Sequence, residues 1–319
     1  MGELRHSDFR PAWWIRGPHL QTLWPSLFRR RPRLNLERRR IELADGDFLD
    51  LAVGPGSGPA VVVIHGLEGD LRSHYAGGTL SALAAAGFRP IFMHLRGRSG
   101  ECNRLPRSYH SGATEDLAAV LDDLAGGPEG PPLAAVGFSL GGNLLLKYLG
   151  ETPEPGIRAA VAVSVPFVLR DAALRLNLGA SRLYRRHLLG RLKDSYRTKF
   201  SRMPSPLDVD LEEIRDLFDY DDRITAPLHG FAGAEDYYAR ASCRPFLRHI
   251  STPTLILHSA DDPFMFAHTV PRARELGRQV TMELAERGGH VGFVSGALPW
   301  RPHYWLETRI LDYLRGLIG

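Results

Sequence analysis

Leu133-Ala134-Ala135-Val136-Gly137-Phe138-Ser139-Leu140-Gly141-Gly142-Asn143 joins a short apolar run to a glycine-rich turn. The apolar run has the composition of a buried strand, and residues 144–149 continue with helix-forming residues. Residues 137–141 fit the pattern G-x-S-x-G, in which a serine occupies a tight strand-to-helix turn at strained backbone angles. Only residues without bulk fit at the two flanking glycines. Strand, turn and helix together predict a nucleophile elbow that exposes the Ser139 hydroxyl.

The segments around this stretch alternate between apolar runs and helical patterns. A continuous apolar run such as residues 60–64 is typical of a parallel strand that is buried on both faces. Repeated β-α-β units predict an α/β fold with a mostly parallel central sheet flanked by helices. Right-handed crossovers bring the carboxyl ends of such strands to one edge, where open α/β sheets bind ligands. Strands are predicted at residues 60–64, 89–94, 133–138, 159–165, 254–258 and 280–284, with a hairpin at 41–53.

Two regions depart from this alternation. Residues 1–36 carry aromatic residues among prolines and arginines without a clean amphipathic period. We interpret them as an irregular N-terminal arm packed on the core; contact with a lipid surface is the alternative. Between about 167 and 238 strands give way to a helical pattern rich in arginine and leucine, which predicts a helical cap over the sheet edge. We predict that the rest of the chain, residues 37–319, forms a single α/β domain and that the cap is an insertion in it.

Composition limits the class of protein. The 319 residues have 44% hydrophobic and 24% charged content, as expected of a globular protein, and the net charge of +4 weakly favours anionic partners. No secretory signal or membrane-spanning run is apparent, and two isolated cysteines do not make a disulfide framework. We therefore expect a cytoplasmic protein without stable membrane insertion. The basic run at 29–40 is read as a solvated face, no nucleic-acid partner is expected, and the oligomeric state stays open.

A serine hydroxyl becomes a useful nucleophile when a base takes its proton and a third group orients that base. In folds with this elbow the chain order is serine, acid, histidine. His290 follows two glycines after a late strand, and Asp261 and Asp262 follow the strand at 254–258. We select Asp262 as the acid because Pro263 follows it directly, although either carboxylate could orient the histidine. Ser139, Asp262 and His290 are thus the predicted catalytic residues.

Acyl transfer also needs hydrogen-bond donors aimed at the oxyanion of the tetrahedral intermediate. The amide that follows the nucleophile is that of Leu140, and the turn after residues 60–64 supplies the amide of Leu67. We read His65 as a structural residue of that turn and not as a second base. The remaining histidines lack metal-ligand spacing, and no glycine-rich turn fits a nucleotide-binding pattern, so neither a metal nor another cofactor is expected.

Several short motifs spread over nearly the whole chain carry a family resemblance. They are PHLQT at 18–22, HGLEG at 65–69, RGRSG at 96–100, YHSG at 109–112, GFSLGGN at 137–143, DDPFM at 261–265 and GGHVGF at 288–293. With them the chain resembles the YheT-type hydrolases, a bacterial branch of the α/β-hydrolase superfamily similar to ABHD-type lipases and to yeast medium-chain ester-forming acyltransferases. The resemblance implies the α/β-hydrolase fold, a triad of Ser139, Asp262 and His290, and hydrolysis of carboxylic esters. Arg98 and Cys102 depart from the family pattern, which leaves substrate preference open.

The sequence therefore predicts a serine carboxylic-ester hydrolase that acts through an acyl-enzyme on short- to medium-chain acyl esters. Its expected partner is a small-molecule ester or a lipid-like substrate. Acyl transfer to an alcohol by the same residues is one alternative, and product analysis with added ethanol separates the two. A non-catalytic binding scaffold on the same fold is the alternative from another class, and labelling by a fluorophosphonate distinguishes it.

Overall fold

The computed structural model describes residues 1–127 and 130–317. Within them, nine strands form one sheet in the order β1-β9-β8-β7-β6-β4-β5-β3-β2, and two more form a small separate sheet. The strands are β1 (Glu3–His6), β2 (Glu37–Glu42), β3 (Phe48–Val53), β4 (Ala60–Ile64), β5 (Arg89–Met93), β6 (Ala134–Phe138), β7 (Ala159–Val163), β8 (Thr254–Ser259), β9 (Val280–Ala285), β10 (Val294–Leu298) and β11 (Arg301–Tyr304).

Most of the large sheet is parallel. Strands β1, β9, β8, β7, β6, β4 and β5 pair in parallel, and β3 and β2 add an antiparallel hairpin at one edge. The central strands β4, β6 and β7 are buried along their whole length, as expected of strands covered on both faces. The predicted fold class, with helices flanking a mostly parallel sheet, is confirmed.

Helices cover both faces of the sheet and build a separate layer above its carboxyl edge. One buried cluster includes Leu144 and Leu117 on one face, and another includes Leu80 and Ile310 on the other. The helices are α1 (Pro18–Phe28), α2 (Ala76–Ala85), α3 (Thr114–Gly126), α4 (Leu140–Glu151), α5 (Leu169–Arg175), α6 (Arg182–Phe200), α7 (Leu217–Tyr220), α8 (Ala226–Leu228), α9 (Ala234–Ala241) and α10 (Trp305–Arg315). No helix among the described residues is both long and apolar enough to cross a bilayer.

Helices α5 to α9 lie between β7 and β8 and form the cap. They share an apolar cluster of their own, which includes Tyr184, Leu192, Tyr220 and Tyr238. Leu67 from the turn after β4 packs against this cluster, so the cap rests on the carboxyl edge of the sheet. This contact positions the cap above the loops that follow the strands.

The N-terminal segment is more regular than the sequence predicts. Residues Glu3–His6 form an edge strand that pairs in parallel with β9, and a proline at the first helical position, Pro18, begins α1. The strand escaped prediction because its four residues are exposed and show no apolar alternation. The limits proposed for the arm and the main domain, 1–36 and 37–319, stay predictions, and residues 128–129 and 318–319 lie outside the described residues.

Candidate active site

The candidate site lies at the carboxyl edge of four strands that are close together in the sheet. Ser139 follows β6, the turn with Leu67 follows β4, Asp262 follows β8, and His290 follows β9. Parallel strands end at the same edge, so these residues converge although they are far apart in sequence. The structure brings all the site residues predicted from the sequence to this edge.

Ser139 occupies a strained turn between β6 and α4. Its φ of 52° and ψ of −119° lie outside the regions that L-residues favour, and its amide donates to the Val163 carbonyl oxygen at 2.8 Å. Gly141 makes the turn possible, because a Cβ atom there would lie 2.6 Å from the carbonyl oxygens of Ile64 and His65. The backbone thus has the elbow geometry that the G-x-S-x-G pattern predicts.

Ser139, His290 and Asp262 form one hydrogen-bonded series. His290 Nε2 is 2.9 Å from Ser139 Oγ, and His290 Nδ1 is 2.9 Å from Asp262 Oδ2. One tautomer satisfies both contacts: Nδ1–H donates to the carboxylate, and Nε2 accepts from the hydroxyl. The Asp262 side chain is almost fully buried, so the carboxylate faces the imidazole and not solvent. This arrangement can remove the hydroxyl proton as Ser139 attacks an electrophile.

The two neighbouring aspartates have different contacts. Asp262 accepts from the histidine and, through Oδ1, from the Phe264 amide at 2.8 Å. Asp261 Oδ1 accepts from the amides of Gly288 and Gly289 at 2.9 and 3.0 Å. Asp262 therefore orients the imidazole, whereas Asp261 ties down the loop that carries it.

An aromatic ring covers the imidazole, and sequence reasoning did not identify it. The rings of Phe264 and His290 stack with centroids 3.9 Å apart and an interplanar angle of 6°. Phe264 also contacts Tyr184 of the cap, with ring centroids 4.9 Å apart. The face of a phenyl ring carries negative charge density, which favours a cation above it. Such a stack would stabilise an imidazolium if the serine proton were transferred to His290.

The backbone amides of Leu67 and Leu140, in the two turns at Ser139, have no hydrogen-bond acceptor among the described residues. Leu140 is the first residue of α4, where intrahelical acceptors are lacking. Gly66 brings the other turn close, since a Cβ atom at that position would lie 3.0 Å from Ser139 Cβ and 3.6 Å from its Oγ. Both amides are thus available to an oxyanion bound at Ser139.

His65 has the structural role that the sequence predicts. Its Nδ1 is 2.7 Å from the Gly66 carbonyl oxygen, and its Nε2 accepts from the Leu95 amide at 3.1 Å. The ring is completely buried, and this burial lowers the pKa of His65 to about 3. A neutral imidazole held at both nitrogens fixes the turn after β4 and is not available as a base.

Backbone strain concentrates at the site. Besides Ser139, four non-glycine residues in the part of the chain that the structure describes have left-handed φ angles between 47° and 55°: Glu68, Ser164, Val291 and Phe293. All of them lie in turns after β4, β7 or β9, and Ser164 Oγ accepts from the Val291 amide at 3.0 Å. Such conformations persist only where surrounding contacts impose them, and they cluster at functional sites. No local sequence signal identifies these positions.

Helix α1 holds the loop that carries His290. Thr22 Oγ1 accepts from the His290 amide at 2.9 Å, and the Gln21 side chain exchanges two hydrogen bonds with the backbone of Val294 at 2.7 and 3.0 Å. The loop approaches the helix so closely that a Cβ atom at Gly289 would lie 2.5 Å from the Pro18 carbonyl oxygen. The motif at 18–22 carries the resemblance described above, but its position along the chain gave no indication of this role.

A buried ion pair links the turn after β4 to the cap. Arg98 Nη1 donates to Glu68 Oε2 at 2.8 Å and Arg98 Nη2 to the Glu68 carbonyl oxygen at 2.8 Å, while Tyr109 OH donates to Glu68 Oε1 at 2.9 Å. Ser195 on α6 accepts from Arg98 at 2.9 Å and donates to Glu68 Oε2 at 2.6 Å. Arg98 thus connects the turn carrying Leu67 with helix α6 of the cap.

A cavity of about 1170 Å³ extends from the serine beneath the cap. Its walls are largely apolar near the nucleophile, and a polar region includes Glu68, Arg98 and Lys199. Lys199 donates to the Asn103 side chain at 2.5 Å, and burial lowers the pKa of this lysine to about 8. No cluster of metal-ligating side chains occurs among the residues that the structure describes. The apolar side chains that line the cavity include Leu23, Leu169, Ala173, Leu176, Leu188 and Leu192.

Comparison with known proteins agrees with this geometry. Residues 59–297 match a family model described as the alpha/beta hydrolase fold. The chain is 44% identical over 317 residues to YheT from Escherichia coli (strain K12), which carries a provisional esterase name; the match covers 97% of this chain and 93% of that protein. It is 27% identical to the phospholipase ABHD3 from Bos taurus, with 97% of this chain and 79% of that one covered.

Solved structures share the fold. The esterase Pf2001 from Pyrococcus furiosus superimposes with a TM-score of 0.58, at 16% sequence identity, over 90% of this chain and 97% of that one. At this identity the likeness concerns the fold alone. The resemblance to YheT-type hydrolases stated from the sequence motifs is confirmed by the full-length match to YheT.

Proposed function

This chain belongs to the α/β hydrolase fold family, and we propose that it is a serine carboxylic-ester hydrolase that works through an acyl-enzyme. The observation that carries this proposal is the hydrogen-bonded series Ser139–His290–Asp262, with both contacts at 2.9 Å. Two unpaired amides beside the serine and an apolar cavity leading to it add support. The relatives named as esterase and phospholipase favour esters of fatty acids as the substrate class.

In the proposed first half-reaction, Ser139 Oγ attacks the ester carbonyl carbon while its proton passes to His290 Nε2. Asp262 keeps Nδ1 protonated and stabilises the imidazolium, and the amides of Leu67 and Leu140 bind the oxyanion. His290 then gives the proton to the departing alkoxide, and the alcohol leaves behind a Ser139 ester. In the second half-reaction His290 takes a proton from water as its oxygen attacks the acyl carbonyl carbon. The bond to Ser139 Oγ then breaks, His290 returns the proton to this oxygen, and the acid leaves.

We propose short- to medium-chain acyl groups as the preferred substrates. The leucines of the cap and α1 line the cavity beside the serine and offer an apolar surface to an acyl chain. Among p-nitrophenyl esters, the rate should be highest between the acetate and the decanoate. A flat profile, or activity on long chains only, would contradict this preference.

A fluorophosphonate probe tests the mechanism directly, because it reacts with an activated serine and needs no knowledge of the physiological ester. The wild-type protein should be labelled at Ser139, and Ser139→Ala should abolish both labelling and ester hydrolysis while the protein stays folded. Absence of labelling in folded wild-type protein would refute the proposed function. With ethanol added, the acid should remain the main product; a predominant ethyl ester would identify an acyltransferase instead.

A further inference from the structure

The mouth of the cavity lies between two helices that expose apolar side chains to solvent. Leu20 and Leu27 are 52% and 69% exposed and lie two turns apart on α1, so they point in the same direction. Phe28 at the end of α1 is 62% exposed, and Leu183 on α6 is 68% exposed. The two helices are neighbours, because His19 of α1 stacks on Tyr184 of α6 with ring centroids 5.7 Å apart. We call Leu20, Leu27, Phe28 and Leu183 the apolar rim.

The rim is continuous with the interior of the site. Leu27 and Leu183 are exposed and also line the cavity that contains Ser139. Large apolar side chains grouped at an entrance are unusual on a free surface and mark a place of contact. An acyl chain bound in a lipid layer could therefore pass from the layer to Ser139 without crossing water.

Unpaired arginines surround this rim. Arg30, Arg31 and Arg33 follow directly after α1, and Arg186 lies one turn after Leu183 on α6. None of the four has a carboxylate partner among the described residues. They differ in this from the rest of the basic run, which is neutralised: Arg29 pairs with Glu307, and Arg38 and Arg40 share Asp50 and Glu101. Positive charge without a carboxylate partner thus lies beside the exposed leucines of the rim.

We propose that the rim and these arginines dock the protein reversibly on the surface of an anionic lipid bilayer, with the cavity facing the lipid. Apolar side chains that enter the interface, flanked by arginines that meet anionic headgroups, are the two contributions that hold peripheral proteins on membranes. Docking is a separate property of the surface, whereas delivery of a bilayer-borne ester to Ser139 rests on the proposed function.

Vesicle flotation of Ser139→Ala protein tests docking without hydrolysis. The protein should float with vesicles of phosphatidylcholine containing phosphatidylglycerol and much less with phosphatidylcholine alone, at about 0.1 M salt where the Debye length is about 10 Å. Arg30→Glu, Arg33→Glu and Arg186→Glu together should lower binding about 100-fold, as each arginine near an anionic surface contributes roughly fivefold. Leu20→Ser with Phe28→Ser should lower it about tenfold through lost apolar burial.

A matched control comes from the opposite edge of the sheet. Arg158, Arg248 and Arg278 are exposed and precede the parallel strands β7, β8 and β9, so changing all three to Glu gives the same net charge far from the rim. This control should bind anionic vesicles like the parent. Equal loss in the control, equal binding to both kinds of vesicle, or no binding at all would overturn the proposal. The proposal would also be overturned if light scattering showed that the protein is a dimer and that Leu20→Ser dissociates it. The rim would then be the contact surface between two copies of the chain.

Delivery is tested with active protein. The residues substituted in these variants do not line the cavity: Leu20, Phe28, Arg30, Arg33 and Arg186. The rate of hydrolysis of a soluble p-nitrophenyl ester should therefore stay unchanged. Hydrolysis of an ester embedded in anionic vesicles should fall in parallel with binding. If the substitutions lowered hydrolysis of both substrates equally, the defect would lie in the active site itself. This result would contradict the delivery of a bilayer-borne ester through the rim. Inactivity of the wild type on every ester, with flotation intact, would refute the proposed function and leave docking standing.

Discussion

At the scale of single residues, the site depends on conformations that the surrounding contacts impose. Ser139 is held at a φ of 52° between a strand and a helix, and Val291 and Phe293, on either side of Gly292, lie at 52° and 47°. A residue in such a conformation needs compensating contacts, and here Val291 has one through the Ser164 hydroxyl. The histidine therefore has little freedom to leave its position over the serine.

The different contacts of the two aspartates lead to a prediction. Asp262→Asn should lower kcat for ester hydrolysis about 10⁴-fold, because an amide favours the wrong imidazole tautomer. Asp261→Asn keeps the oxygen that accepts from the Gly288 and Gly289 amides, so its loss of kcat should be less than about tenfold. Steady-state kinetics of both variants checks this, with thermal unfolding as the control for folding. A larger effect at Asp261 would reverse the assignment of the triad acid.

At the scale of elements, helix α1 acts as the support of the histidine loop. The Thr22 hydroxyl satisfies the His290 amide, which is buried and would otherwise have no acceptor. An apolar replacement would leave that donor unsatisfied. The consequence should appear in the position of the imidazole as well as in stability.

Thr22→Val removes the acceptor and keeps the shape of the side chain. It should reduce stability by about 1–3 kcal/mol, the desolvation cost of an unpaired buried donor, and lower kcat by roughly tenfold. Thr22→Ser keeps the hydroxyl and should retain most of the stability and most of the kcat of the wild-type protein. Chemical unfolding and ester kinetics measure the two effects. Equal behaviour of the valine and serine variants would show that the hydroxyl does not support the loop.

The cap is joined to the turn after β4 by the ion pair of Arg98 and Glu68. Arg98→Met should destabilise the protein by about 3–5 kcal/mol, because it leaves a buried carboxylate without its partner. Adding Glu68→Gln should recover most of this loss, since the uncompensated charge is then gone. A urea-unfolding cycle of the two single variants and the double variant measures the coupling. Additive losses would mean that the two side chains act independently.

At the scale of the whole molecule, buried neutral histidines limit stability in acid. Burial lowers the pKa of His65 to about 3 and that of His258 to about 4, below the value of about 6.5 in an unfolded chain. Above pH 6.5 both histidines are neutral in the folded and in the unfolded chain, so their titration does not change the free energy of unfolding. As the pH falls from 6.5 towards 4 the unfolded state binds protons that the folded state refuses, so stability decreases.

His258→Leu tests this dependence, because it removes a buried ring whose Nδ1 has no hydrogen-bond partner among the described residues. The difference in unfolding free energy between pH 7 and pH 4 should shrink by about 3 kcal/mol, which corresponds to a pKa shift of roughly 2.5 at about 1.4 kcal/mol each. Stability at pH 7 should change little. If the unfolding free energy of the variant depended on pH as that of the wild type does, His258 would not contribute to the loss of stability in acid.

The sequence predicts those parts of the molecule that depend on local patterns. The elbow at Ser139 and the strand at 60–64 are contiguous signals, and the chain order of the motif was enough to select His290. Contacts between distant residues were not predictable. The hydrogen bond between Thr22 and His290 spans 268 positions, and that between Ser195 and Glu68 spans 127. Each of these residues is ordinary in its own neighbourhood, so only the folded chain reveals its role.

The contact between α1 and the histidine loop has a consequence for biosynthesis. The ribosome makes α1 more than 260 residues before the loop that this helix supports. A nascent chain that has already folded its sheet up to β8 still lacks the partner of its own first helix. The hydrogen-bonded series at Ser139 is therefore complete only after residue 290 has been translated, and polypeptides that end before this residue should be inert towards esters however well their earlier portion has folded.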